Sequence, residues 1–599
     1  MISRERFPYI DVISRRYAIE RSDMNGTRTA AWANISGGAG SFLHDLPVVL
    51  GGLALFYGLL IFARSWVAPA STHPEISLQP TALPFYALFS LLRITAAYVL
   101  SLAFTLVYGY IAAYNRRVER FMIPILDTMQ SIPVLSFLPG VMASMVALFP
   151  HSFIGVELGC IVLIFTGQVW NMTFSFYSSL KSIPNEMREA ATIYQLSWWQ
   201  RFRQLELPYA AIGLIWNSMM SVAGGWFFLM ACEMFVLGNR DFRLPGLGSY
   251  LQTASNQGNT RAIFEGVTVM VGIIVMMDRI VWRPAIAWAQ KFKFEQVEAT
   301  DTPQSRVLEL FRKSRMLEFV RRATLIPIRE AIDLYFAKTH ASVIEPGDSR
   351  LQRWLPWTLG IIALAGIAYA TVKMVITTLS ISISDLRTIL AGAGITFLRV
   401  EFVLLVAALW TVPVGTMIGL RPKLSAIAQP IAQIAASVPA TALFPVILLI
   451  LIRAGGGMGI ASLFLLLLGT QWYILFNVIA GASAIPTDLK EVCQVYGLNR
   501  RERWRKLLLP AIFPYLVTGF VTASGGAWNA SIVAEYFHFQ GNTLSTRGLG
   551  AVISQATDAG NYPMLLAATL VMAAIVVTIN RLVWRRLYGL ASIRYKLES

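Results

Sequence analysis

A succession of apolar runs, each long enough to cross a lipid bilayer and separated by short polar stretches, leaves this chain few ways to fold. About 20 mostly apolar residues in a helix cover about 30 Å of hydrocarbon. Qualifying runs lie near 46–66, 86–114, 121–149, 153–180, 209–238 and 262–288. Six more lie near 355–378, 388–420, 426–452, 458–484, 511–537 and 562–588. The expected fold is therefore an all-α polytopic membrane protein with about twelve membrane helices. Composition agrees: 56% of the residues are hydrophobic and 14% are charged. A soluble chain carries about 45–50% and about 25%, so this one has too few charges to cover a soluble surface. Disorder, a disulfide scaffold and an ordinary cytosolic enzyme are disfavoured. Cys160, Cys232 and Cys493 form no CxxC pair, and the five histidines show no metal-ligand spacing, so no metal site is expected.

Orientation follows from Lys and Arg, which crowd the cytoplasmic stretches of membrane proteins. The net charge of +17 is spread over such stretches rather than gathered into a nucleic-acid surface. Arg4, Arg6, Arg15, Arg16, Arg21 and Arg28 lie in the first 45 residues, whereas 67–85 holds no Lys or Arg. Arg116, Arg117 and Arg120, then Lys181, Arg188, Arg201 and Arg203, return to the basic side. The alternation places both termini in the cytoplasm, with Arg240, Arg243 and Arg261 as exceptions on the outer side. No cleavable signal peptide is expected, because the first residues are polar. The segment 289–354, with Arg312, Lys313, Arg315, Arg321 and Arg322, reads as a cytoplasmic connector. Its Val307, Leu308, Leu310, Phe311, Leu317, Phe319 and Val320 alternate with basic residues, as on an amphipathic helix lying on the inner leaflet; a regulatory site is the other reading.

The two halves superpose by their prolines. Pro124 pairs with Pro430, Pro133 with Pro439, Pro139 with Pro445, and Arg93 with Arg399, all at one spacing. Further on the spacing shortens slightly and then holds. It relates Pro184 to Pro486, Glu189 to Glu491, Tyr194 to Tyr496, Pro208 to Pro510, Trp226 to Trp528 and Glu233 to Glu535. The Gly246-Leu247-Gly248 and Gly548-Leu549-Gly550 turns, and Trp282-Arg283 and Trp584-Arg585, keep the same register. The chain is a tandem duplication: a basic tail (1–45), a six-span domain (46–288), the connector (289–354) and a second six-span domain (355–599). An even number of spans per half makes the repeat parallel, with any path expected between the halves.

The most informative element is the polar loop between the fourth and fifth runs of each half. It reads IPNEMREAATIYQLSWWQRFRQLELP at 183–208 and IPTDLKEVCQVYGLNRRERWRKLLLP at 485–510. Each opens with Pro and an acidic residue, Glu186 or Asp488, suited to a helix start, and closes at a Pro expected to open the next span. Each is expected as a helix, a turn and a second helix. These loops resemble the EAA loop of permease subunits in binding-protein-dependent ABC importers, the MetI-like transmembrane family. Glu189, Ala190, Ala191, Leu205, Leu207 and Pro208 match the motif in the first half; Glu491, Gly497, Leu507, Leu509 and Pro510 match it in the second. Gln195 stands where the motif has Gly, and Val492-Cys493 replace Ala-Ala. The plainer reading is a helical loop that only caps the bundle. LPAIFPYLVTGFVTASGGAWNASIVAEYF (509–537) with its Gly-Leu-Gly turn, and VPATALFP (438–445), look like permeases of the nitrate/sulfonate/taurine group.

The resemblance implies a fused double permease of an ATP-driven importer in the bacterial inner membrane, carrying a small, anionic solute of the nitrate, sulfonate, taurine or bicarbonate type. It implies two copies of a cytoplasmic ABC ATPase on the loops, which would hold ATP and Mg, and a periplasmic solute-binding protein outside. No Gly-Lys dipeptide occurs, so the phosphate-cradling loop of an ATPase is missing from this chain. No catalytic constellation is evident, and the chain is expected to be a transport subunit, not an enzyme. Iron or polyamine cargo, and an ion-coupled secondary carrier, are the alternatives. Path candidates are the polar and aromatic residues inside the runs: Gln168, Asn171, Asn217 and Trp226, with Gln471, Asn477, Trp528 and Asn529. Interhelical packing is the competing role for each. Glu233 and Glu535 read as structural ties rather than proton relays, and Arg93 and Arg399 either attract an anion or snorkel.

Overall fold

Backbone groups in hydrocarbon have no water to bond, so an apolar run crosses it as a helix that satisfies its own ladder. The computed structural model describes residues 75–292, 309, 314–341, 365, 369 and 372–594, apart from 151, 238, 239, 379 and 541. Among these, eight helices are long and apolar enough to cross a membrane. They are Pro80–Tyr114, Ile154–Lys181, Trp198–Glu233, Thr260–Ala289, Ile383–Gly419, Met458–Ser483, Arg500–Ala534 and Tyr562–Ala591. The expected twelve are not all continuous spans. The run 121–149 is divided into Arg116–Ser131 and Leu138–Leu148. The run 426–452 is divided into Lys423–Ser437 and Ala440–Arg453, which meet at 83°.

Proline explains both breaks. Pro133 and Pro439 push the residue before them out of the helical region. Ile132 has ψ 127° and Val438 has ψ 117°. The runs near 46–66 and 355–378 lie outside the described residues, except at 365, 369 and 372–378. Among the described residues, two short antiparallel hairpins, Val236–Leu237 with Arg240–Asp241 and Tyr536–Phe539 with Asn542–Ser545, stand between the helices.

The described residues fall into two units, 309 and 314–335 in one, and 75–292 with those from 336 to 594 in the other. In the connector, Arg315–Val320 and Ile326–Ala341 are helical, with Met316 and Phe319 exposed. Arg322 and Arg321 hold the Glu318 carboxyl below its ordinary range through hydrogen bonds and charge. Val307, Leu308, Leu310 and Phe311 lie outside the described residues.

The larger unit holds both repeats around one core. In each, a central helix (Ile154–Lys181 or Met458–Ser483) lies between two neighbours, Leu83–Tyr114 and Leu207–Glu233 or Ile383–Gly419 and Leu509–Ala534. Lipid supplies no hydrophobic drive between helices, so contact depends on close packing at small residues. A Cβ on Gly415 would stand 2.9 Å from Val478, one on Gly481 2.8 Å from Tyr515, and one on Gly519 3.1 Å from the Ile474 backbone. Large apolar side chains such as Val107, Leu405 and Leu409 remain exposed on the outer faces, where lipid covers them.

Five π-turns occur in the described residues, and four share a cause. Phe202–Glu206, Asp278–Trp282, Arg321–Leu325 and Trp504–Leu508 each end two residues before a proline: Pro208, Pro284, Pro327 and Pro510. Proline cannot donate to the carbonyl four residues back, and its ring crowds that carbonyl; widening the turn relieves both. The fifth, Asn580–Trp584, has no such proline and is the repeat counterpart of Asp278–Trp282. One expectation is corrected by this device. The loops do not stop at Pro208 and Pro510: the helix runs through, and Trp198–Glu233 is continuous over 36 residues.

Candidate coupling loops and central path

A helix of that length reaches about 54 Å at 1.5 Å per residue, well beyond a bilayer core of about 30 Å. The loops therefore stand clear of the hydrocarbon. In the first, helix Asn185–Ile193 leads through a turn to helix Trp198–Arg201, started by a capping box between Ser197 and Gln200. In the second, Thr487–Val495 leads to Arg500–Arg503, started by a capping box between Asn499 and Glu502. The reciprocal bonds satisfy two orphan N–H groups at each start.

The turns close alike. Leu196 N–H donates to Ala191 C=O at 3.0 Å and Leu498 N–H to Cys493 C=O at 3.1 Å, the six-to-one bond of a Schellman motif. The residue inside that bond is left-handed, Gln195 with φ 50° and Gly497 with φ 59°. Glycine enters this region freely, while a side chain adds about 1 kcal/mol. A Cβ on Gly497 would meet nothing within 4 Å, so the conformation, rather than crowding, favours glycine there. Replacing Gln195 with Gly is expected to stabilise the loop by about 1 kcal/mol, read as a rise in the unfolding midpoint of purified protein; no rise would remove the strain argument.

Glu189 and Glu491 are exposed, while Ala191 and Cys493 are buried beneath the first helix of each loop. Ala190 is half-buried and Val492 exposed, so the small residue is needed at the second position of each pair. Leu205 and Leu207 pack under the first loop with Ile183 and Ala210. Leu507 is buried, Leu509 is exposed, and Pro208 and Pro510 are half-buried within their helices. Sequence reasoning passed over the tips. Ile193 and Tyr194 are 78% and 77% exposed, and Val495 and Tyr496 are 84% and 77% exposed. The pairing of Tyr194 with Tyr496 was the available signal.

At the opposite end of the spans lies a cavity of about 460 Å³ between the repeats. Leu135 and Arg243 contribute from one half, Ile532, His538 and Asp558 from the other. Arg243 is paired with Asp241, Nη2 to Oδ2 at 2.5 Å. Tyr536 donates to Asp558 at 2.6 Å, and His538 Nε2 lies 3.0 Å from the same oxygen. Burial, reinforced by the bond to Asp558, pushes the Tyr536 hydroxyl up from its ordinary value.

Deeper in the bundle is a cavity of about 140 Å³ bordered by Gln130, Asn171, Ser221, Tyr473, Thr522 and Asn529. A neighbouring space of about 80 Å³ shares Gly224, Tyr473, Gly526 and Asn529. Of the path candidates, Asn171 and Asn529 thus border the central space, with Gln130 Nε2 donating to Asn171 Oδ1 at 3.0 Å. Asn217 and Asn477 bond back to their own helices, to the Gly213 and Tyr473 carbonyls at 3.0 and 2.8 Å. Gln168 and Gln471 are buried, and Gln168 accepts from Ser101 at 3.5 Å. Trp226 and Trp528 are buried; Trp226 borders a space of about 20 Å³ beside Gln433 and Ser437. Tyr473, which sequence reasoning missed, is brought onto Asn171 by the register that aligns Trp170 with Trp472.

Arg93 is fully buried and does not snorkel. Its Nε and Nη2 each lie 2.7 Å from Glu157, its Nη1 lies 2.7 Å from Glu233, and Nη1 also donates to the Pro245 carbonyl at 2.8 Å. Glu233 in turn accepts from Ser90 and from Gly248 N–H, both at 2.7 Å. The second half repeats the scheme: Glu535 pairs with Arg399 and accepts from Thr396 at 2.8 Å and Gly550 N–H at 2.8 Å. Glu157 has Gly459 as its counterpart, so the second cluster holds one carboxylate where the first holds two. Each Glu ties its Gly-Leu-Gly turn to a spanning helix.

The family described as the binding-protein-dependent transport system inner membrane component matches residues 105–280 and again 411–587. The chain belongs to this family. As a member it is a multi-pass membrane protein and a transport component carrying two copies of the domain in tandem. Among its relatives is the nitrate import permease protein NrtB of Leptolyngbya laminosa, 30% identical over 185 residues, covering 31% of this chain and 63% of that protein. The bicarbonate transport system permease protein CmpB of Synechococcus elongatus is 27% identical, over 30% of this chain and 61% of its own length. The taurine transport system permease protein TauC of Escherichia coli shows the same identity and the same shares. The chain thus spans a little under two thirds of the length of these relatives.

Proposed function

We propose that this family member is the fused transmembrane permease subunit of an ATP-driven importer for a small, anionic solute of the nitrate, bicarbonate, sulfonate or taurine type. The observation that carries the reading is the duplicated loop. Two exposed apolar tips stand on one face of the bundle, and a cavity shared by the repeats opens at the other. In this reading the loops face the cytoplasm, as do both termini, and each tip enters a cleft on one of two copies of an ABC ATPase. Glu189, Ala190, Ala191, Leu205, Leu207 and Pro208, with Glu491, Gly497, Leu507, Leu509 and Pro510, shape and seat the two docking elements. ATP and its Mg belong to that partner, where hydrolysis occurs. A periplasmic binding protein delivers solute to the cavity of about 460 Å³, and closure of the ATPases drives the repeats to exchange access. The cargo names on the relatives support the solute class. Removing the chain from its host is expected to abolish ATP-dependent uptake of one of labelled nitrate, bicarbonate or taurine, with recovery on re-expression. Undiminished uptake of all three would overturn the solute class.

A further inference from the structure

The outer and central cavities are separated by the break in the first half. Leu135 borders the outer space and Val134 the central one. This segment is a single tight turn, Val134–Ser136, whose N-cap is Pro133. Proline has no side chain that can accept from the orphan N–H groups of a helix start. The acceptor comes from the other repeat: Leu135 N–H donates to Asn529 Oδ1 at 3.3 Å. The far end is held by Thr569, whose hydroxyl donates to the Ser136 carbonyl at 3.1 Å. Asn529 is itself fixed, with Nδ2 donating to the Gly525 carbonyl at 3.1 Å. Each of its polar ends makes one bond, which fixes the amide against the turn.

The duplication supplies the comparison. In the repeat register Asn529 corresponds to Phe227 and Thr569 to Val267, which cannot make either bond to the second break at Val438-Pro439. Phe227 and Val438 instead flank the space of about 80 Å³. The two breaks are alike in backbone origin and unlike in how they are held.

We propose that the turn Val134–Ser136 is the outer gate of the path, latched shut from the second repeat by Asn529 and Thr569, and that release of these two bonds joins the cavities. The inference rests on the importer reading for the identity of the outer face. Access gating in this chain is thus one-sided, with the first break as barrier and the second repeat as the element that holds or releases it.

The test is cysteine labelling in membrane vesicles with a membrane-impermeant methanethiosulfonate reagent, after Cys160, Cys232 and Cys493 are changed to alanine. Thr522→Cys reports the central cavity and Asn256→Cys the outer one. Without nucleotide, Thr522→Cys should label slowly from the cavity face, and at least tenfold faster when Asn529→Leu or Thr569→Val is added. Thr569→Ser, which keeps the hydroxyl, should restore slow labelling, and Val267→Ala should leave the rate unchanged. Equal rates with and without the latch substitutions would overturn the proposal. Acceleration by Val267→Ala as well would also overturn it, since general loosening would then suffice. If Asn529→Leu fails to insert, Thr569→Val with its serine rescue decides alone. Labelling of Asn256→Cys from the cytoplasmic face would instead overturn the orientation, while the comparison of rates from that face would still judge the latch.

Discussion

Replacing Arg93 with leucine is expected to leave almost no folded protein, with a stability loss of about 3–5 kcal/mol, the range for removing one partner of a buried ion pair. The guanidinium is fully buried and contacts both Glu157 and Glu233. Its loss strands two carboxylates side by side without a counter-charge. Arg399→Leu should be milder, because it strands one carboxylate, and Glu535 keeps its bonds from Thr396, Gly550 and Ala551. Changing Glu157 to Gln in the Arg93→Leu background should recover part of the loss by removing one charge. The measurement is thermal unfolding and the monodisperse fraction of detergent-purified protein. Parent-like unfolding of Arg93→Leu would show that the cluster does not hold the turn.

The second large effect is on transport alone. Replacing Tyr194 and Tyr496 together with alanine should leave insertion and unfolding within about 0.5 kcal/mol of the parent, as for other exposed positions. Each ring is 77% exposed, so little within the chain depends on it. If each ring is an anchor in a partner's cleft, its truncation costs about 2 kcal/mol of binding or more. Since 1.4 kcal/mol is about tenfold, uptake at matched membrane levels should fall well beyond tenfold. Either single variant should give an intermediate value. Undiminished uptake by the double variant would leave the tips as surface without a partner.

Much of this was legible in the residues. The eight continuous spans, the duplication and the helix-turn-helix loops follow from run length, proline register and capping chemistry. The breaks in two runs were not legible because hydropathy averages over a proline, whereas backbone geometry at Ile132 and Val438 does not. The loop boundary was misplaced at Pro208 and Pro510 because a π-turn lets a helix absorb a proline that propensity treats as a stop. Inside the bundle, polar identity alone does not tell where a side chain points. Asn217 and Asn477 bond back to their own helices, while Asn529 and Tyr473 border both inner spaces. Which side of a helix a polar group faces depends on its neighbours, and a single chain's spacing does not report that. Arg93 was likewise read as a snorkelling or anion-attracting residue, since its partners Glu157 and Glu233 are distant in sequence.

The central claim is that the paired loops dock an ATP-hydrolysing partner, and photo-crosslinking from their tips tests it most directly. A photoreactive amino acid placed at Tyr194 or at Tyr496 in membranes of the native host should capture the same ATPase subunit, and one placed at Asn256 beside the outer cavity should not. Capture of that subunit from Asn256, or from neither tip, would contradict the account.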